Sequence, residues 1–144
     1  MGKYDYYWEG TDMDIEILVG KTLTKVEQAE NDEALIFHTD DGERYMMYHS
    51  QDCCECVRIE DICGNLEDLV GSPILTAREN TSHGEDPEDM EREDGEEDWR
   101  ESFTWTFYDL ATEKGAVTIR WYGESNGYYS ESVDFVKMGE GEDN

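Results

Sequence analysis

The residues best suited to chemistry are concentrated in one short stretch, residues 49–56. It contains His49, Cys53, Cys54 and Cys56, and Cys63 follows, so all four cysteines of the chain lie within eleven positions. Cysteines that serve only as small hydrophobic side chains have no reason to cluster in this way. The stretch therefore indicates one of three things: a metal site, a reactive thiol, or a packed group of reduced thiols.

Zinc is the candidate metal for this stretch. Structural zinc is usually held by four Cys or His ligands, often with two of them two to four residues apart. The thiol density favours zinc over a hard cation, although the sequence has no Cys-x-x-Cys. Adjacent residues of a strand point to opposite faces, which disfavours both joint ligation by Cys53 and Cys54 and a disulfide between them. We expect His49 and two or three cysteines to be ligands, from the set His49, Cys53, Cys54, Cys56 and Cys63.

Thiol catalysis is the weaker interpretation of the same residues. The acidic neighbours Asp52, Glu55 and Glu60 disfavour a thiolate, which is the form of cysteine that reacts. The sequence Gly20-Lys21-Thr22 lacks the upstream glycine of a phosphate-binding loop. We therefore expect a protein that is not an enzyme, with packed free thiols as the simplest alternative to zinc.

The flanking sequence predicts antiparallel strands around the cysteine cluster. Apolar and polar residues indicate strands at 34–38 and 44–48, separated by the turn signal Asp40-Asp41-Gly42. Residues 56–62 alternate with period two and predict the next strand. The cluster then occupies the loop between two strands and the first residues of the second.

The chain also matches itself at two offsets. Residues 15–23 resemble 66–74 at an offset of 51, and residues 55–59 resemble 131–135 at an offset of 76. This pattern predicts one domain, 1–144, made of two related halves, 12–63 and 65–136, with an acidic insertion at 79–101. The expected fold class is α+β, mainly antiparallel twisted sheet, with two short helices at 12–19 and 65–70.

Composition restricts the functional classes. The 144 residues are 37% hydrophobic, enough for a core, yet 38 Asp and Glu stand against 11 Lys and Arg, giving a formal net charge of −27. Such a charge opposes direct binding to nucleic acid and favours basic protein surfaces. No membrane span or targeting signal is visible, so we expect a cytoplasmic protein with reduced thiols.

The densest charge lies between Glu85 and Glu101, where eleven acidic residues stand against two arginines. A block of this kind is often only solvated and disordered. It also resembles the phosphate backbone of duplex DNA, which carries about one negative charge per 1.7 Å of helix axis. On that interpretation the partner-binding residues are Glu85, Asp86, Glu88, Asp89, Glu91, Glu93, Asp94, Glu96, Glu97, Asp98 and Trp99.

The sequence resembles a family of small uncharacterised proteins of tailed phages, prophages and gut bacteria. The resemblance rests on His49-Ser50-Gln51-Asp52-Cys53-Cys54-Glu55, on Ile59-Glu60-Asp61-Ile62, and on Leu66-Glu67-Asp68-Leu69-Val70-Gly71. It implies a phage-linked origin and no established activity. It also implies that the Cys53–Cys54 pair is shared, whereas Cys56 and Cys63 are particular to this chain. Small acidic phage proteins are often inhibitors of host defence, as anti-CRISPR and anti-restriction proteins are.

These observations together predict an acidic inhibitor of the anti-CRISPR kind. Its expected partner is a CRISPR effector such as Cas9, or another nucleic-acid-binding defence protein, which it contacts through a basic surface and prevents from loading DNA or guide. Aromatic anchors such as Trp8, Trp99 or Trp105 would supply specificity. Two alternatives stay open: a zinc- or thiol-dependent enzyme acting on a nucleotide signal, and an acidic phage accessory protein with no inhibitory role.

Overall fold

The computed structural model describes residues 13–29, 33–49, 54–83, 102–126 and 130–138, which form eight strands and two short 3-10 helices. In chain order the helices are Ile15–Leu18 and Leu66–Leu69. The strands are β1 (Leu23–Gln28), β2 (Ala34–Thr39), β3 (Arg44–Tyr48), β4 (Cys56–Cys63), β5 (Thr76–His83), β6 (Ser102–Thr112), β7 (Gly115–Ser125) and β8 (Asp134–Lys137).

The strands form two antiparallel sheets, each with four strands. One sheet has the order β1-β2-β3-β8 and the other β4-β7-β6-β5. Each sheet therefore contains three consecutive strands and a fourth strand from elsewhere in the chain. Strand β4 pairs with β7, with Cys56 opposite Glu124, whereas β8 pairs with β3, with Tyr48 opposite Asp134. This exchange of fourth strands holds the two sheets together.

The predicted α+β class is wrong, because the described residues are almost entirely β. The two predicted helices are single 3-10 turns of four residues, Ile15–Leu18 and Leu66–Leu69. Their apolar spacing does match a helix, but Val19 and Val70 already have extended backbone, and Gly20 and Gly71 follow at φ 89° and 90°. The left-handed glycine ends each turn and redirects the chain into a strand.

The two 3-10 turns have the same local structure. Asp14 caps the first by accepting from the Glu16 N–H at 3.0 Å, and Asn65 caps the second by accepting from the Glu67 N–H at 3.0 Å. The segments that follow bond to each other reciprocally: the Gly20 N–H donates to the Ile74 carbonyl at 2.8 Å and the Gly71 N–H donates to the Leu23 carbonyl at 2.9 Å. The sequence offset of 51 thus corresponds to an approximate twofold relation between these segments.

The core lies between the two sheets. One cluster joins Leu35, Phe37 and Phe135 of the first sheet to Tyr108, Ile119 and Trp121 of the second, all of them at most 2% exposed. Buried residues alternate with partly exposed ones along β7 and from Phe107 to Thr112 of β6, as period-two patterning predicts, whereas the four residues from Phe103 to Thr106 are all buried. Among the described residues there is no helix long and apolar enough to cross a membrane.

Candidate functional site

The base of the cysteine loop is closed by a pair of buried side chains. His49 follows β3 and Glu55 precedes β4, so they lie on either side of the loop in sequence. The His49 Nε2 and Glu55 Oε2 atoms are 2.6 Å apart, and the two side chains are 4% and 0% exposed. On its other side, His49 Nδ1 lies 2.6 Å from the Ser132 carbonyl oxygen. His49 therefore connects the loop to the segment that precedes β8.

The number of protons carried by the His49–Glu55 pair follows from the groups that His49 contacts. A carbonyl oxygen only accepts, so His49 Nδ1 donates to Ser132. The short bond to Glu55 needs a second proton, carried either by the imidazole or by the carboxyl group. The pair thus shares one proton in a buried place, and both imidazole nitrogens are in use. An imidazole in this arrangement has no lone pair for a metal unless one of the two bonds breaks.

The cysteines do not gather around His49 in the described part of the chain. Cys54 is disulfide-bonded, contrary to the expectation of reduced thiols, whereas Cys56 and Cys63 are exposed and are not part of a disulfide. The remaining cysteine, Cys53, lies outside the described residues. Cys56 and Cys63 begin and end β4, and seven strand steps of about 3.3 Å separate them by roughly 20 Å. One ion cannot bind both of these thiols.

The zinc prediction therefore stays untested. Within the described ranges, no group of three or more His, Cys, Asp and Glu residues has the arrangement of a metal site. A zinc ion at the loop would require Cys53 together with rearranged Cys54 and His49. What the described residues show in this place is the buried His49–Glu55 pair at the base of the loop.

A second buried carboxylate lies at the corresponding point of the other half. Glu131 precedes β8, as Glu55 precedes β4, and it is 8% exposed. Its Oε1 accepts from the Thr104 hydroxyl at 2.7 Å and its Oε2 accepts from the Ser125 hydroxyl at 2.5 Å. Ser102 donates a further hydrogen bond. Burial by itself acts to raise the pKa of Glu131, but the bonds from Ser125, Ser102 and Thr104 outweigh it and lower the pKa below its ordinary value.

Glu131 lines a cavity of about 150 Å³ between β5, β6 and the segment before β8. The Thr104 hydroxyl has one proton, which it gives to ionised Glu131, so its oxygen accepts from His83 Nδ1 at 3.0 Å. The lining is Glu79, Thr81, His83, Thr104, Thr106, Ser130, Glu131, Ser132 and Val133.

The sequence held a signal for only part of this second site. Glu55 and Glu131 start the two matching five-residue segments, so their shared position was readable from the offset of 76. The role of Thr104 was not readable from the sequence, because a threonine in an alternating strand is expected to face solvent. In the structure Thr104 is only 5% exposed. His83 lies within the predicted acidic insertion at 79–101, whereas residues 79–83 belong to β5 and pair with β6.

The remaining predicted residues fall into two groups. The predicted partner-binding residues, Glu85 to Trp99, lie outside the described part of the chain, as does Trp8. Trp105 is described and is buried, and its role as an anchor stays a prediction. It is 1% exposed, packs against Tyr122 with ring centroids 4.6 Å apart, and has the Arg120 guanidinium 5.3 Å from its ring centre.

Comparison with known proteins assigns the chain to a family. Residues 16–135 match the family described as a domain of unknown function, DUF7448, and the chain belongs to that family. The matched range includes the second 3-10 turn, all of the first except Ile15, the cysteine loop, Glu55 and Glu131. No curated protein and no solved structure matches the chain.

Proposed function

We propose that this protein is a non-enzymatic inhibitor that binds a basic surface of a nucleic-acid-processing defence protein in the host cytoplasm. A CRISPR effector such as Cas9 is the first candidate partner. The observation that carries the proposal is the charge of the folded sheets themselves. The described residues contain 18 Asp and Glu against 8 Lys and Arg, so the acidity extends beyond the segment between Glu85 and Glu101.

The protein's own Lys and Arg residues cannot neutralise all of these carboxylates, because they are fewer and because two of them bind the same carboxylate. Two lysines bind the single carboxylate of Glu43, Lys21 at 3.1 Å and Lys137 at 2.7 Å. Arg120 forms a third local pair by donating to Glu60 at 2.7 Å. The surplus of carboxylates is left to face solvent and any approaching partner. A field of one sign attracts basic grooves and speeds association with them.

The cavity beside Glu131 favours a binding protein over an enzyme that acts on nucleotides. Pockets for ligands of drug or cofactor size are usually about 300–1,000 Å³, whereas this one is about 150 Å³. Two of the three histidines of the chain are engaged by carboxylates, His49 by Glu55 and His38 by Glu27. These features support recognition of a side chain more than turnover of a nucleotide.

Exposed apolar residues give the acidic body a place for specific contact. Ile17, Val19 and Leu75 are 38%, 48% and 61% exposed. A β-bridge pairs Val19 with Ile74, the residue that precedes Leu75 in the chain. Apolar contacts ringed by charge are typical of protein interfaces, where a few side chains carry most of the affinity. The resemblance to phage proteins supports a defence protein as the partner.

A binding panel tests the proposal. Tagged protein is mixed with Cas9–guide complex, with guide-free Cas9 and with a restriction nuclease, each at low and at physiological salt, and DNA cleavage is then measured in molar excess of the protein. We expect binding to at least one of them, stronger at low salt, together with slower cleavage. Binding to none of these proteins and unchanged cleavage would overturn the proposal.

Two charge variants locate the interaction. One has the carboxylates between Glu85 and Glu101 replaced by amides; the other carries Glu16→Gln, Glu67→Gln and Glu113→Gln, three exposed positions on the folded body. We expect both to bind more weakly. If the first variant alone loses binding, the acidic segment is the interface, and the folded sheets only support it.

A further inference from the structure

The carboxylate of Glu131 is a buried charge with no cation bound to it in the described part of the chain. Its hydrogen-bond donors are three neutral hydroxyl groups, those of Thr104, Ser125 and Ser102. No described Lys or Arg forms an ion pair with it, and His83 hydrogen-bonds to Thr104 rather than to the carboxylate, although the charge of a protonated His83 also acts to lower the pKa of Glu131. Buried charges in folded proteins are normally paired, because an isolated one is costly to remove from water.

The first half of the chain provides an internal comparison. There the equivalent carboxylate, Glu55, is bound by the imidazole of His49 at 2.6 Å. In the second half a serine, Ser125, binds Glu131, and an open cavity of about 150 Å³ lies beside the carboxylate. Among the described residues, the buried glutamate without a bound cation is thus the one that lines a cavity.

The groups around this cavity are suited to a donor-rich cation. Two carboxylates, Glu79 and Glu131, line it together with the imidazole of His83, whose Nδ1 is hydrogen-bonded to Thr104. The hydroxyl oxygens of Ser130 and Ser132 are further acceptors in the lining. An anion would meet two negative charges here. A guanidinium group has five N–H donors in one plane and no acceptor, which suits several acceptors around a small space.

We propose that this cavity binds one guanidinium group, supplied by an arginine side chain of the basic partner. The identity of the source rests on the proposed function, whereas the guanidinium site does not. A cavity of about 150 Å³ in another protein admits benzene, so the space holds a planar group of this size. Binding places a positive charge beside Glu131 and completes the pairing that His49 provides for Glu55.

Methylguanidinium chloride is the probe that tests the site without any partner protein. It is titrated into isotope-labelled protein at low salt, with sodium chloride of equal ionic strength as the reference, and amide chemical shifts are recorded. We expect saturable shifts in residues 79–83, 104–106 and 130–133. Shifts spread over the whole acidic surface, or no shifts beyond those from sodium chloride, would overturn the proposal.

Matched variants separate the cavity from the general charge. Glu131→Gln removes the buried carboxylate, and Glu79→Gln removes an exposed one that lines the cavity, so at least one variant keeps the fold. Glu67→Gln removes the same charge from an exposed site on the second 3-10 turn. We expect methylguanidinium to bind about tenfold more weakly to a folded cavity variant, because that variant loses one charge-assisted hydrogen bond. Its affinity for Glu67→Gln should be unchanged. Equal losses in all three variants would overturn the site.

The same variants distinguish this inference from the proposed function. If methylguanidinium binds at the cavity while none of the effectors binds the protein, the site stands and the proposed function fails. If an effector binds wild-type protein and Glu131→Gln equally well, the partner does not use the cavity, and its arginine is excluded as the source.

Discussion

The indole N–H of Trp121 donates to the thioether sulfur of Met47 at 3.2 Å, across the core between the two sheets. Met47 lies on β3 and Trp121 on β7, the third strands of the two halves, and the two residues are 0% and 1% exposed. This hydrogen bond fixes the relative position of the two sheets by a polar contact within an apolar core.

Replacing a methionine by leucine should lower the stability of the protein more at Met47, whose sulfur accepts this bond, than at Met46. Met→Leu conserves volume, so it usually costs less than about 1.5 kcal/mol. Met47→Leu also leaves a buried N–H without an acceptor, which adds about 1–3 kcal/mol. We expect urea unfolding to show a larger loss for Met47→Leu than for Met46→Leu, its equally buried neighbour on β3. Equal losses would mean that the N–H···S contact contributes nothing.

Truncating Glu55 tests the closure of the cysteine loop. Glu55→Ala leaves His49 buried without the carboxyl group that it binds, and breaking a buried pair in this way costs about 3–5 kcal/mol. We expect the free energy of unfolding to fall by about that amount. Glu67→Ala, at an exposed position, should change it by less than about 0.5 kcal/mol. If the two variants are equally stable, the His49–Glu55 contact does not hold the loop.

Glu43 should contribute stability that is lost in acid. Hydrogen bonds from Lys137, Tyr45 and Lys21 lower its pKa from 4.5 to about 2. Since the folded pKa is lower than the unfolded one, this contribution is present above pH 4.5 and disappears as the pH falls towards 2. Solvent screens the group, so we expect about 1 kcal/mol at pH 6.

The measurement is chemical unfolding of wild type and Glu43→Gln between pH 6 and pH 2, with Glu67→Gln as the control for the change in net charge. Wild type should be more stable than Glu43→Gln at pH 6, and the difference should vanish near pH 2. A difference that grows as the pH falls would contradict the assignment.

Zinc content tests the remaining prediction for the cysteine loop. His49 has both nitrogens engaged and Cys54 is disulfide-bonded, so we expect the oxidised protein to hold well under one equivalent of zinc. Metal analysis of protein purified without a histidine tag, before and after reduction, measures this. A full equivalent in the oxidised protein would contradict the arrangement seen at His49. A full equivalent after reduction would show that the loop exchanges a disulfide for a metal.

The strands were predictable because each carries its own pattern. Residues 34–38 and 44–48 alternate around a turn signal and correspond to β2 and β3, and 56–62 corresponds to β4. The prediction of two helices was wrong because apolar residues three or four positions apart occur both in a single 3-10 turn and in a longer helix. The exchange of β4 and β8 between sheets was not predictable, since strand pairing at long range leaves no local pattern.

The site was predictable where residue types cluster and not where contacts are distant. His49 was singled out beside the cysteines, but its partners Glu55 and Ser132 depend on how the loop closes and on the approach of a segment 83 positions away. The His83–Thr104–Glu131 chain joins three separate parts of the sequence. No spacing rule connects them, and only the register of β5 with β6, with His83 opposite Thr104, brings the first two together.

The most direct test of the proposed function is a competition for nucleic acid. Labelled guide or target DNA is bound to the effector selected in the binding panel, and the protein is titrated in at 50 mM and 300 mM salt. The proposal predicts displacement of the nucleic acid that needs about tenfold more protein at the higher salt, because charge attraction is screened. Nucleic acid that stays bound in molar excess of the protein at both salt concentrations would contradict it.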